Sequence, residues 1–277
     1  MLFRSRPLLR SAVPLISMAF GASRVIAPSI AGFMIAAVGA PPTFLLCAAA
    51  VCVMAGVLFV VSPAQGVTRA HGSLIGNFTE NLRYIRADEV FARTIITALL
   101  HSTLAMGFVH VLPVFAKDLL HVDARGLGIL ASAAGVGALI GFGSHAWFQQ
   151  FLSWRNLLLG SLVVYNLTLI VLAFSTWYWV SFAAIFVSGI CHGYFLTCAQ
   201  VMLQTMVDDN YRGRVMGVFS LVWSLMFLSG FLLNAAGAWV GPRFALAGGA
   251  MVMLVYLWLS LARAEVMKKI VLTPKPK

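Results

Sequence analysis

The chain is built from long uncharged runs. About 20 apolar residues carry an α-helix across the hydrocarbon core of a bilayer. Eight stretches reach that length, at about 11–37, 43–61, 94–115, 126–148, 156–174, 178–207, 213–240 and 244–262. Soluble helices of this size would need a charged exterior, roughly 25% of residues, whereas charged residues make up 10% of this chain. The runs are continuous rather than alternating, which argues against a spanning β-barrel. The expected fold class is all-α: a polytopic membrane helical bundle of about 8 transmembrane helices, with the lipid bilayer as its first partner.

The net charge of +11 would suit nucleic acid if it formed one patch. It does not. Eight spans put successive loops on alternate sides. One side then holds Arg4, Arg6, Arg10, Arg69, Arg83, Arg86, Arg93, Arg155, Arg212, Arg214, Arg263, Lys268, Lys269, Lys275 and Lys277, which is 15 of the 19 cations. The other side holds Lys117, Arg125 and Arg243, and Arg24 stays inside the first run. Lys and Arg accumulate in cytoplasmic loops. Both termini are therefore expected in the cytoplasm, and no nucleic-acid partner is expected. The first run is too long for a signal peptide, carries Arg24 and precedes seven more spans, so it reads as a retained helix. Cys47, Cys52, Cys191 and Cys198 fall within spans and read as small packing residues.

Two stretches echo each other. Gly32-Phe-Met-Ile-Ala-Ala-Val-Gly39 runs on to Phe44, and Gly230-Phe-Leu-Leu-Asn-Ala-Ala-Gly237 runs on to Phe244. Each is a helix end, a Gly/Pro turn and the start of the next helix. The first pair of spans thus matches the last pair at an offset of six, the pattern of permeases with pseudo-symmetric halves. Residues 62–93 form a long polar connection in which Leu74, Phe78, Leu82 and Ile85 recur at helical spacing. This is either an interfacial amphipathic helix or a linker packed on the bundle. The six later spans divide into two triplets. Arg125-Gly126 and Arg212-Gly213 open the middle helices, which end near Trp147 and Trp239. Three domains are expected: 1–61, the last two helices of an incomplete N-terminal half; 62–93, a cytoplasmic linker; and 94–277, a complete six-helix half with a cytoplasmic tail.

Several stretches resemble the major facilitator superfamily, in its enterobactin-exporter-like branch. Leu9 to Gly32, with Arg24-Val-Ile-Ala-Pro28, is similar to that branch's fifth helix, and Asn81 to Asp88 to its central-loop helix. Leu112-Pro113-Val-Phe115-Ala-Lys117-Asp118 is similar to the end of its seventh, and Arg212-Gly213-Arg214-Val215-Met216-Gly217 to the start of its eleventh. The resemblance covers nearly all of the chain. It implies a partial major facilitator fold holding helices five to twelve of twelve, in the bacterial inner membrane. It further implies an efflux-type secondary transporter that exports a small amphipathic molecule, such as a drug or siderophore, by alternating access against protons. The chain departs from the pattern at Ala27, where the family has Gly, and between Gly141 and Arg155, where no acidic residue occurs. With four leading helices absent from the sequence, the alternative is a non-transporting truncated fragment, or a chain needing a partner or an N-terminal segment that supplies them.

Ionisable groups inside a membrane are costly and point to function. Arg24 sits mid-span, and all eight acidic residues lie in loops or at span ends. Its guanidinium is either a charge in a substrate or coupling cavity or a tie between helices. His101, His110, His145 and His192 lie in or near spans; each is either a proton-relay group or a hydrogen-bonded packing residue. His101 and His110, nine residues apart, fall on opposite helix faces. Gly189, Gly193, Thr197, Gln200 and Gln204 share one stripe, and Asn234 lies beyond the small stripe of Gly217, Ser220 and Ser224. The cavity candidates are therefore Arg24, His101, Gln200, Gln204 and Asn234. Pro28, Gly32, Gly137, Gly141, Gly189, Gly193, Arg212, Gly213, Arg214 and Gly217 are the candidates for close packing or gating. No phosphate loop, nucleophile triad or metal-ligand cluster appears in the sequence. No cofactor, metal or catalytic residue is expected, and the chain is not expected to be an enzyme.

Replacing Arg24 by Ala, in a protein with all its helices, should impair transport while leaving membrane insertion intact. Vesicle uptake checks this, and unchanged flux would reduce Arg24 to a packing role.

Overall fold

The computed structural model describes residues 38–60, 88–207 and 209–262, together with Met34, Arg83, Ile85 and Arg86. Arg24, Pro28, Gly32, the first apolar run and most of the 62–93 connection lie outside the described residues. Of that connection's apolar positions, Ile85 is described. It is buried and packs in one cluster with Phe91.

The described residues form helices: α1 (Ala40–Val60), α2 (Glu89–Leu100), α3 (Phe108–Val114), α4 (Ala124–Phe148), α5 (Trp154–Phe174), α6 (Tyr178–Met206), α7 (Asp209–Val240) and α8 (Pro242–Ala262). α2 and α3 belong to one rod, Phe91–Leu119, interrupted by two π-helical turns at His101–Ala105 and Phe115–Leu119. That rod and α4 to α8 make 6 helices long and apolar enough to cross a membrane. They correspond to the six runs expected between 94 and 262. The run expected at 43–61 forms α1, whose apolar stretch Pro41–Val57 is shorter.

Local chemistry explains the helix ends. The Asp123 carboxylate accepts from the backbone N–H of Gly126 at 2.8 Å and caps α4. The Ser153 hydroxyl does the same for α5, from Asn156 at 3.3 Å. Within the helices, hydroxyls donate to the carbonyl one turn back: Ser132 to Gly128, Ser144 to Ile140 and Thr197 to Gly193, at 2.7, 2.6 and 2.8 Å. In lipid a polar side chain has no water to bond, so its own helix supplies the acceptor.

The echoed stretches share a device. Gly39 precedes α1 at φ 86° and Gly241 precedes α8 at φ 87°. These left-handed values close one helix and aim the next, and they suit glycine because it has no Cβ. Pro41 and Pro242 follow within the first turn, where a missing N–H costs nothing. The corresponding turn residue is thus Gly241 and not Gly237, which the sequence sets opposite Gly39. Gly237 is still helical, and its carbonyl accepts from Gly241 N at 2.9 Å.

The seam between α4 and α6 is the tightest in the bundle. A Cβ on Gly137 would land on the carbonyl oxygen of Phe186, and one on Gly141 on that of Ile190. In return, a Cβ on Gly189 would strike the Ala134 carbonyl oxygen, and one on Gly193 would come within 2.6 Å of that of Ala138. Four glycines thus remove the side-chain layer and let two backbones touch. Tyr178 at the start of α6 adds a hydrogen bond to the Gly126 carbonyl at 3.2 Å. α5 packs on the far side of α6, with α8 against α5, while α7 and α8 lean on the rod. The buried side chains fall into two clusters. One is built on Phe115, Leu130, Leu169 and Leu246, the other on Phe91, Leu162, Leu203, Phe219 and Leu257. α1 adds little to either, and Phe44 and Phe59 on it are largely exposed.

Gly189→Val should lower the stability of the detergent-solubilised protein by about 1–3 kcal/mol, the usual range for overpacking. Gly143→Val on the same α4 meets open space and should change the thermal midpoint little.

Candidate functional site

The π-helical turn at His101–Ala105 places a histidine at the centre of the bundle. There the Met106 N–H reaches back five residues to the His101 carbonyl at 3.0 Å. The wider turn inserts an extra residue, and such bulges recur at functional positions. His101 is completely buried. Its Nε2 lies 3.4 Å from Nδ1 of His192 on α6, a long hydrogen bond in which one imidazole donates and the other accepts. The two rings are nearly parallel, 23° apart with centroids at 5.7 Å. Tyr165 from α5 and Phe195 from α6 meet the His101 ring edge-on, both with centroids at 4.7 Å. The Tyr165 hydroxyl donates to Sδ of Met106 at 3.3 Å. Three elements therefore converge on one imidazole pair, sealed by aromatic rings.

A second histidine contact lies on the glycine-rich seam. Nε2 of His145 on α4 is 3.2 Å from Sγ of Cys198 on α6, and the Trp154 ring covers the imidazole edge-on at 5.4 Å. Cys198 is fully buried. His110 points elsewhere: its ring fills the space that a Cβ on Gly230 of α7 would need, at 2.6 Å. The rod thus sends His101 toward α6 and His110 toward α7.

Near the His101 pair, Phe195 also lines a recess opened by Arg93 and Thr94 of α2, Arg155 of α5 and Tyr256 and Ser260 of α8. The recess encloses about 30 Å³ and opens to the surface. Arg93 is held by Glu89, whose Oε1 accepts from Nη2 at 2.6 Å and from Nε at 3.0 Å. The Thr97 and Tyr256 hydroxyls bond each other at 3.1 Å.

The other sequence candidates are scattered. Gln200 is half-buried on α6. Asn234 is exposed on α7 and donates to the Gly230 carbonyl of its own helix at 2.8 Å. Gly217 is exposed, with open space where a side chain would go. Gln204 lies in α6 and Arg212, Gly213 and Arg214 in α7, with side chains outside the described atoms. Gly137, Gly141, Gly189 and Gly193 meet at the α4–α6 seam. The sequence named His101 as a cavity candidate without its partner. His192 lies 91 residues away, and no local periodicity links the two. Tyr165, Arg93 and Arg155 were missed altogether. Arg93 and Arg155 had one legible signal, a charge flanking an apolar run, and Tyr165, in the middle of its run, had none.

A family model described as transmembrane secretion effector matches residues 4–274. The multidrug efflux pump Tap of Mycolicibacterium fortuitum is 25% identical over 230 residues, which make up 79% of this chain and 55% of the pump. The chain therefore spans about half the length of that curated relative. Among solved structures, a mutant peptide transporter POT in complex with alafosfalin matches with a TM-score of 0.51 at 17% identity. The match covers 62% of this chain and 38% of that one, and at this identity it speaks for the fold alone.

Removing one imidazole of the central pair strands its partner, whereas replacing both by apolar rings leaves nothing unsatisfied. His101→Phe and His192→Phe should each destabilise by about 1–3 kcal/mol, and the double variant by less than their sum. A thermal double-mutant cycle measures this coupling, and strict additivity would mean that the two rings do not interact.

Proposed function

We propose, from the premise that this chain belongs to the transmembrane secretion effector family of the major facilitator type, that it works as part of a proton-coupled secondary exporter of small amphipathic molecules. The observation that carries this reading is the His101–His192 pair, buried where three elements meet. Imidazole exchanges protons near neutral pH, and a pair in hydrogen-bond contact can pass a proton between helices that move relative to one another. The aromatic seal of Tyr165 and Phe195 corresponds to an occluded stage. Opening α6 away from the rod would expose the pair to one side of the membrane. The bare glycine seam between α4 and α6 supports such motion, since backbones without side-chain knobs can slide.

In this reading residues 94–277 are the six-helix C-terminal half of a two-lobed permease. Residues 1–61 are the closing helices of the other half, and 62–93 is the cytoplasmic linker. The left-handed glycines at 39 and 241 support the equivalence of the two helix corners. Arg24 remains a cavity candidate on the side of the other lobe, with Gln200, Gln204 and Asn234 as candidates here. Arg212, Gly213, Arg214 and Gly217 are read as part of a gate at the start of α7. The distribution of Lys and Arg supports an inner-membrane protein with both termini in the cytoplasm. The substrate is read as drug-like or siderophore-like because the candidate lining combines apolar groups with amides.

Cells producing the protein together with any helices needed to complete the fold should extrude a lipophilic fluorescent cation, and a protonophore should stop it. His192→Ala should cut proton-driven efflux about tenfold or more while leaving substrate exchange in the absence of a gradient, the separation expected of a coupling group. If efflux is absent under all conditions, the chain is a non-transporting bundle. If His192→Ala transports normally, the coupling site lies elsewhere.

A further inference from the structure

The recess beside Phe195 adjoins the histidine pair but does not contain it, and it pairs a mostly apolar lining with a buried guanidinium nitrogen that has no hydrogen-bond partner. Two guanidinium groups, Arg93 and Arg155, line it together with hydroxyls of Thr94, Thr97, Tyr256 and Ser260. Glu89 neutralises Arg93. Arg155 has no ion pair among the described residues, and its Nε is buried without a hydrogen-bond partner. Arg155 is also the second residue of α5, where unpaired backbone N–H groups and the helix dipole favour negative charge. A buried guanidinium nitrogen left unbonded is costly, and a phosphate oxygen satisfies it with a short charge-assisted bond. The rest of the lining is aliphatic, with Leu158, Leu159, Met202 and Leu257 forming the floor.

We infer that this recess binds a phosphate-bearing anion, with Arg155 as its main ligand and Arg93 and the threonine hydroxyls at its rim. Basic pockets between membrane helices hold phospholipid headgroups by the same chemistry. Free inorganic phosphate presents the same head without the tail. The site is independent of proton coupling and stands whether or not the chain transports.

The test uses the whole chain in a neutral maltoside detergent alone, in that detergent with phosphatidylglycerol added, and in that detergent with inorganic phosphate added. Thermal midpoint and lipid retained in native mass spectrometry are the readouts. Phosphatidylglycerol should raise the midpoint by several degrees and stay bound, and Arg155→Gln should weaken retention about tenfold, the loss of one charge-assisted contact. Arg155→Lys should keep part of the effect, and Arg125→Gln, outside the recess lining, should keep all of it. If inorganic phosphate alone reproduces the shift and phosphatidylglycerol adds nothing, the site stands and its ligand is the free anion. Equal midpoints in all three preparations, or a response undiminished in a folded Arg155→Gln protein, would overturn the inference.

Discussion

The bundle depends on backbone meeting backbone at the α4–α6 seam. Inside a bilayer there is little hydrophobic drive to bring helices together, because lipid tails are as apolar as leucine. Association must come from close contact, and close contact requires that side chains be absent from the interface. Gly137, Gly141, Gly189 and Gly193 supply that absence in register, two from each helix. Much else is arranged around this pairing. α5 packs on α6 and α8 on α5, and α6 in turn presents His192, Phe195 and Cys198 to the rod and to α4. If the seam were widened by one methyl group per glycine, Cys198 would be drawn away from His145, the contact that crosses it.

The rod from Phe91 to Leu119 answers a different demand. A regular helix would return the same face every 3.6 residues, but the π-helical turns at His101 and Phe115 and the proline at 113 break that repeat. Each wide turn inserts an extra residue and so shifts the face that follows it, and the rod packs His101 toward α6 and His110 toward α7. They also mark where the rod is least held by its own backbone bonding. Irregular backbone of this kind survives in a membrane because it is enclosed by protein rather than lipid, and Ala105, Met106, Gly107 and Phe108 are all buried.

The class of fold was legible because lipid imposes a simple rule: a span must be long, apolar and helical. The runs between 94 and 262 therefore translate almost directly into the rod and α4 to α8. The small-residue stripes on α4 and α6 were legible for the same reason, since i, i+4 glycines make a groove whatever lies opposite. What the sequence did not reveal was which residues meet across helices. His101 and His192 were weighed singly and not as a pair. Asn234, named as a cavity candidate, is exposed and donates to a carbonyl of its own helix. The recess arginines were read as topology signals, a role that does not preclude a local one. The echo set Gly39 opposite Gly237, whereas the left-handed glycine of the second corner is Gly241. A glycine inside a helix and a glycine at its end look alike until φ separates them.

That corner carries one more consequence. Gly241 is the single residue between Val240 and Pro242, joining a helix of 32 residues to one of 21. A one-residue connection has no slack, so in the folded bundle neither helix can tilt or slide along the membrane normal without carrying the adjoining end of the other with it.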